Sequence, residues 1–170
     1  PDRELKGEKG KTDFSKLGVV TVGTPPRNRS FQDVDNPVLL ELSSLIVKSH
    51  LETYPELDFI MVGSAEFRNS VTGHEKCWKH LDEKYGIESR TPLAQAVAAA
   101  NKRFFHSEGR AARELKADIE FLYFVDKVFG ENSLTDGVDR SGLQIMLSPV
   151  SEELYPILDA VLPENFSIVS

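Results

Sequence analysis

The run of residues from Leu57 to Asn69 places the strongest constraint on how this chain can fold. It begins with a short apolar segment, which is typical of a strand that is buried on both faces of a parallel sheet. Small residues follow, and then a carboxylate, a guanidinium and an amide arrive within four positions, at Glu66, Arg68 and Asn69. Because α/β proteins bind ligands beyond the carboxyl ends of their parallel strands, the sequence predicts a functional site at the end of this strand.

Three other apolar segments have the character of strands, and helical segments separate them. The four predicted strands cover residues 17–24, 57–64, 143–148 and 166–170. This alternation predicts an α/β fold with consecutive βα units and a parallel sheet of about four strands. Such a sheet is either part of a (β/α)8 barrel or a small open sheet. Residues 17–170 are predicted to form a single domain or barrel segment, and the polar residues 1–16 a flexible arm.

Start and stop signals predict the helices. The first runs from Pro37 to about Thr53, where Tyr54-Pro55 ends it. The spacing of its apolar residues predicts one buried stripe: Leu39, Leu42, Leu45, Ile46 and Ser49. A helical insertion is predicted between the second and third strands, with helices that open near Thr72, Thr91 and Arg110. The first of these three starts with the capping-box spacing Thr72-Gly73-His74-Glu75.

Composition limits the class of partner. The 170 residues carry a formal net charge of -7, which argues against general affinity for nucleic acid or for an anionic membrane surface. No apolar run approaches the roughly 20 residues that span a bilayer. The chain has a single cysteine, Cys77, so no intrachain disulfide framework is expected, and a reducing, cytoplasmic location is favoured.

Glu66 is the sharpest candidate for a catalytic residue. A carboxylate just beyond a buried strand can be partly desolvated, which raises its pKa toward the range of a general acid or base. Arg68 could bind an anionic substrate group and Asn69 a hydroxyl. Arg27 and Asn28 follow the preceding predicted strand and would face the same crevice. The alternative for Glu66 is a structural role in the first turn of a helix.

Other kinds of site have little support in the sequence. His74, Cys77 and His80 recur at spacings of three, but they fan around a helix and match no known zinc spacing, so we predict no metal site. Neither the dinucleotide-binding fingerprint nor a Walker-type phosphate loop occurs, and we expect no cofactor. The aromatic residues near Tyr123 are predicted to be core.

The run from Asn36-Pro37 through Tyr54-Pro55 to Gly63–Arg68 resembles the middle of a glycoside hydrolase (β/α)8 barrel. The resemblance covers residues 17–170 as consecutive βα units. It implies that Glu66 is the general acid of a carbohydrate-active enzyme, or of a segment of one. Such enzymes need a second carboxylate about 5–10 Å away, for which Glu152, Asp33 or a strand outside this chain are the alternatives.

Two non-catalytic interpretations compete with the hydrolase. One is a flavodoxin-like α/β domain that binds a small molecule, and the other is a structural or interaction domain. Strand order discriminates between a barrel segment, in which it follows the chain, and a doubly wound sheet, in which it reverses. Part of a barrel would also expose sheet edges, which favour self-association.

Overall fold

A computed structural model describes residues 37–63, 73–105, 107–130, 133, 135 and 142–169. Its helices are α1 (Pro37–Thr53), α2 (His74–Tyr85), α3 (Leu93–Lys102), α4 (Arg110–Phe129) and α5 (Leu158–Val161), and its strands are β1 (Phe59–Val62), β2 (Gln144–Leu147) and β3 (Phe166–Ile168). Two 3₁₀ helices cover Ile87–Ser89 and Glu152–Ile157. The predicted arm and the predicted first strand, residues 17–24, lie outside the described residues.

The three described strands form one parallel sheet in the order β1-β2-β3. Met61, Met146 and Ser167 lie side by side across it. The α/β class and the parallel pairing are therefore confirmed. Between β1 and β2, the described residues form the α-helices α2, α3 and α4.

All the described helices that pack on the sheet do so on one face. Ile60, Ile145 and Phe166, together with Val62, Leu147 and Ile168, point toward α1 and α4 and join a common apolar core. The alternate strand positions point to the opposite face, where Phe59 and Met61 remain 55% and 61% exposed. The prediction that β1 is buried on both faces is wrong, because the described helices cover only one side of the sheet. Among the three described strands, β1 lies at one edge of the sheet.

Helix α4 lies between two apolar cores. One side packs on the sheet through Phe121, Val125 and Phe129. The other side packs on α2, α3 and the segment 152–161 through Leu115, Ile119 and Leu122. The prediction that the aromatic residues of this helix are core is confirmed: Phe121, Tyr123 and Phe129 are buried. Phe124 is half-buried and packs against the same core.

The bounds predicted for α1 are confirmed. The predicted buried stripe is wrong at Leu42, Leu45, Ile46 and Ser49, while the side chain of Leu39 lies outside the described part of the structure. Leu45 and Ile46 are 56% and 49% exposed, and Leu42 is exposed as well. The helix turns a different face inward, at the spacing 40, 44, 47 and 51, and on it Leu40, Val47 and Leu51 pack on the sheet core. Ser44 can be buried there because its hydroxyl donates to the Leu40 carbonyl at 2.7 Å. Apolar residues occur around much of this helix. Their spacing in the sequence therefore could not show which face packs against α4.

Within the described ranges, no helix has the length and apolarity needed to cross a membrane.

Candidate functional site at the carboxyl edge of the sheet

The carboxyl ends of β1 and β2 lie next to each other. The backbone N–H of Ser148, just after β2, donates to the Val62 carbonyl at the end of β1 at 3.1 Å. Glu66, Arg68 and Asn69 belong to the segment that leaves this point, and they lie outside the described residues, as do Arg27 and Asn28. The structure thus describes the strand end that precedes the predicted site, but it tests none of these five residues.

The point at which the chain returns from this segment is fixed to α4. The backbone N–H of Gly73 donates to a carboxylate oxygen of Glu120 at 2.7 Å, and Glu120 is buried. A Cβ atom on residue 73 would lie 3.1 Å from the same oxygen, so a glycine suits this contact. Gly73 is the N-cap of α2 and supplies no side-chain cap. Thr72, the first residue of the predicted capping box, lies outside the described residues.

A second buried carboxylate of α4 fixes the chain that follows β2. Asp118 is fully buried and accepts two hydrogen bonds from Ser151, one from the backbone N–H at 2.8 Å and one from the hydroxyl at 2.7 Å. Ser151 occupies the N-cap position of the 3₁₀ helix Glu152–Ile157, as the sequence predicts, but its hydroxyl donates to Asp118 and makes no cap hydrogen bond to the following turn.

Charged side chains gather beside Ser151. Arg103, which follows α3, binds both carboxylate oxygens of Glu153 through Nε at 3.2 Å and Nη2 at 3.0 Å. Its Nε also lies 3.4 Å from Glu152, whose side chain is 62% exposed. Glu152 is one of the two residues of this chain considered as a second catalytic carboxylate. It lies five residues after β2, at the same edge of the sheet as the end of β1.

His74 stands where α2 begins. Its Nδ1 atom is buried and has no hydrogen-bond partner among the described residues. Burial, assisted by the positive charge of Lys116, lowers the pKa of His74 below 6.5, so the ring is neutral at pH 7. A neutral imidazole offers one acceptor and one donor nitrogen. The sequence drew attention to His74 only as a metal ligand.

A second polar cluster lies at the opposite end of the sheet. Asp126 is buried and accepts from Lys84 Nζ at 2.7 Å and from the Tyr85 hydroxyl at 2.5 Å, and it pairs with His80 Nε2 at 3.1 Å. One turn later Phe129 packs edge-on against Phe166, the first residue of β3. The cluster therefore lies at the amino ends of the strands, where α/β proteins seldom place their chemistry.

Cys77 and His80, whose spacing along α2 raised the question of a metal site, have other surroundings in the structure. Cys77 is buried in the apolar core with Trp78, and the ring of His80 contacts both Asp126 and Tyr123. Among the described residues, no group of three His, Cys, Asp or Glu side chains could hold a metal ion.

Sequence reasoning missed the three buried carboxylates of α4, although a signal for two of them was present. Asp118 shares a face of the helix with Leu115 and Leu122. Asp126 shares one with Leu122 and Phe129, so each acid lies within an otherwise apolar stripe. An acid within an apolar stripe indicates a buried, hydrogen-bonded group.

Comparisons with protein-family models, with curated proteins and with solved structures found no match.

Proposed function

We propose that this chain is a carbohydrate-active glycoside hydrolase of the (β/α)8 class, or a segment of one. In this proposal Glu66 acts as the general acid/base, and Arg27, Asn28, Arg68 and Asn69 bind the sugar. The supporting observation is the arrangement of layers: adjacent parallel strands follow chain order, and the helices of the described part cover one face only. Barrel enzymes keep their helices on the outside, whereas doubly wound sheets carry helices on both faces, so the flavodoxin-like alternative is less favoured.

The position of Glu66 relative to β1 supports its role. It lies four residues after Val62, the last residue of the strand, and Glu152 lies five residues after Leu147 on the neighbouring strand. Adjacent strands are about 4.8 Å apart, so segments that leave their carboxyl ends start at similar separations. Two carboxylates about 5–10 Å apart are what glycoside hydrolysis requires. Glu66 and Glu152 are therefore our proposed pair.

The replacement Glu66→Gln tests the proposal in an active preparation of the protein. The amide keeps the size of the side chain but cannot donate a proton to a leaving oxygen. We expect turnover of an aryl glycoside panel to fall by about 10²–10⁴-fold, the usual contribution of a general acid.

Glu56→Gln is the matched control, because Glu56 is exposed and lies before β1, at the amino end of the strand. It should leave turnover unchanged. Equal rates for Glu66→Gln and the unmodified protein would contradict the proposal. A loss on Glu66→Gln with full activity of Glu152→Gln would retain Glu66 and move the second carboxylate elsewhere.

A further inference from the structure

The ring of His74 is a titratable group that the proposed reaction does not use. His74 is the first residue of α2, and its Nδ1 atom is enclosed by the protein without a hydrogen-bond partner among the described residues. A neutral nitrogen in this position forgoes only a hydrogen bond, whereas a protonated one is a buried donor that also carries a positive charge. Protonation of this atom therefore places a charge and a donor where the described structure offers no acceptor.

The surroundings of the ring disfavour its protonation. His74 lies in the first turn of a 12-residue helix, where the partial positive charge of the helix terminus opposes a cation. On α4, Lys116 adds a positive charge, and the buried carboxylate of Glu120, one turn later, is already bonded to the N–H of Gly73. Glu75 favours the charged ring, but burial and Lys116 outweigh it, so the pKa of His74 is below 6.5.

Two hydrogen bonds of backbone N–H groups hold the first turn of α2 on either side of His74. The N–H of Gly73 donates to the carboxylate of Glu120 at 2.7 Å, which attaches this end of the helix to α4. The N–H of Cys77 donates to the Gly73 carbonyl at 3.0 Å, which closes the first turn. A positive charge on His74 therefore arises next to the bonds with which α2 begins.

We propose that His74 is a pH-sensitive switch: its neutral ring keeps the start of α2 attached to Glu120, and its protonated ring detaches it. The end of α2 stays in place, because Asp126 on α4 binds the side chains of Lys84 and Tyr85. The span 64–72, which carries the predicted catalytic residue, meets the described chain at this contact. Acid therefore releases one end of that span. The inference does not depend on the reaction proposed above.

The response of this switch to pH has a definite direction. A detached His74 ring titrates near 6.5 and the attached ring below that value, so the detached state binds more protons in the interval between them. The contact is therefore complete above pH 6.5 and weakens as the pH falls through this interval. The equilibrium constant for detachment rises by up to about tenfold for each pH unit that separates the two pKa values.

Amide hydrogen exchange of the 170-residue chain, followed by NMR at about pH 7.5 and about pH 5, tests the proposal. The protection factors of the Gly73 and Cys77 amides, which correct for the intrinsic pH dependence of exchange, should fall at the lower pH. His74→Phe keeps an uncharged ring and should abolish this fall. His50→Phe is the matched control, because His50 is exposed in the last turn of α1, and this variant should retain the fall. Circular dichroism verifies that both variants are folded.

The ring protons of His74 give a second measurement that needs no variant. Their titration midpoint in the folded protein should lie below 6.5, and a midpoint at or above 6.5 would overturn the proposal. Equal protection at the two pH values would overturn it as well. A fall that persists in His74→Phe would assign the response to another group, such as the Glu120 carboxyl, with the same consequence. No substrate enters these measurements, so their outcome is separate from that of the Glu66→Gln test.

Discussion

Asp126 joins α2 to α4 through three side chains that come from the last turns of α2. Burial by itself would raise the pKa of this carboxyl, but the hydrogen bonds from Lys84, Tyr85 and His80 outweigh it and hold the pKa below 3.8. The same contacts raise the pKa of Lys84 above 10.5, although burial opposes this. Asp126 therefore stays ionised, and its charge is compensated by Lys84 at 2.7 Å.

Asp126→Asn removes the charge and leaves Lys84 without a counterion. We expect the free energy of unfolding at pH 7 to fall by about 2–3 kcal/mol, less than for a fully buried pair because Lys84 is partly exposed. Urea denaturation measures the loss. Glu83→Gln is the control: Glu83 forms an exposed pair with Lys79, so its replacement should cost no more than about 0.5 kcal/mol.

The effect of Asp126 should depend on pH in a definite direction. A carboxyl whose pKa is depressed by folding contributes its stability above the unfolded value of about 3.9, and loses it as the pH falls through the folded value. The difference between Asp126→Asn and the unmodified protein should therefore shrink as the pH drops below 3.8. A difference that stayed constant between pH 7 and pH 2.5 would mean that the charge is not what stabilises the contact.

The position of Gly130 requires a glycine because of the close approach of Asp126, not because of its own backbone conformation. Its φ of -65° suits any residue, but a Cβ atom there would collide with the backbone oxygen and the carboxylate of Asp126. We expect Gly130→Ala to cost about 1–3 kcal/mol in a thermal or urea melt, because the backbone must shift to relieve the collision. Gly63→Ala, where a Cβ would have no neighbour within 4 Å, should be close to neutral. Similar costs at the two positions would argue against this explanation.

At the scale of elements, α4 is the helix to which the rest of the described chain is attached. Glu120 holds the start of α2, Asp126 holds its end, and Asp118 holds the chain after β2. Each contact joins residues that are 33 to 47 positions apart in the sequence. The helix thus sets the position of the segments that flank the candidate site, without contributing an exposed group to it.

Ser151 and Asp118 should be coupled. Ser151→Ala removes one of the two hydrogen bonds and should cost about 1 kcal/mol, whereas Asp118→Ala leaves the N–H and hydroxyl of Ser151 buried without an acceptor and should cost about 2–4 kcal/mol. In a double-mutant cycle we expect a coupling energy of about 0.5–1.5 kcal/mol. Additive costs would show that the two residues stabilise the protein independently.

The bounds of the helices could be predicted because their signals are local. Pro37 starts α1, Gly86 ends α2 in the left-handed conformation, and Pro92 precedes α3. The buried face of α1 and the bare face of β1 could not be predicted, since both depend on where α4 packs. Phe104 shows the same limit: in the sequence it continues the helical spacing of Val97 and Ala100, yet α3 ends at Lys102 and Phe104 is exposed.

At the scale of the whole molecule, the α/β class and the parallel sheet followed from the alternation of strands and helices. A general property of parallel strands predicts the location of the candidate site, and the structure describes the strand ends there, where the backbone N–H of Ser148 donates to the Val62 carbonyl. This contact joins two strands that are far apart in the sequence, so no local pattern could have indicated it. Glu66 and the four predicted sugar-binding residues stay predictions.

The anchoring of Gly73 to Glu120 has a consequence for how this protein can evolve. Residues 64–72 form a nine-residue span between two fixed points, the ladder at Val62 and the buried carboxylate on α4. Both of these contacts are made by residues outside the span. Changes of sequence within the span therefore leave the two contacts in place, so a lineage could diversify what it recognises here while the residues that hold the two ends stay under selection for packing.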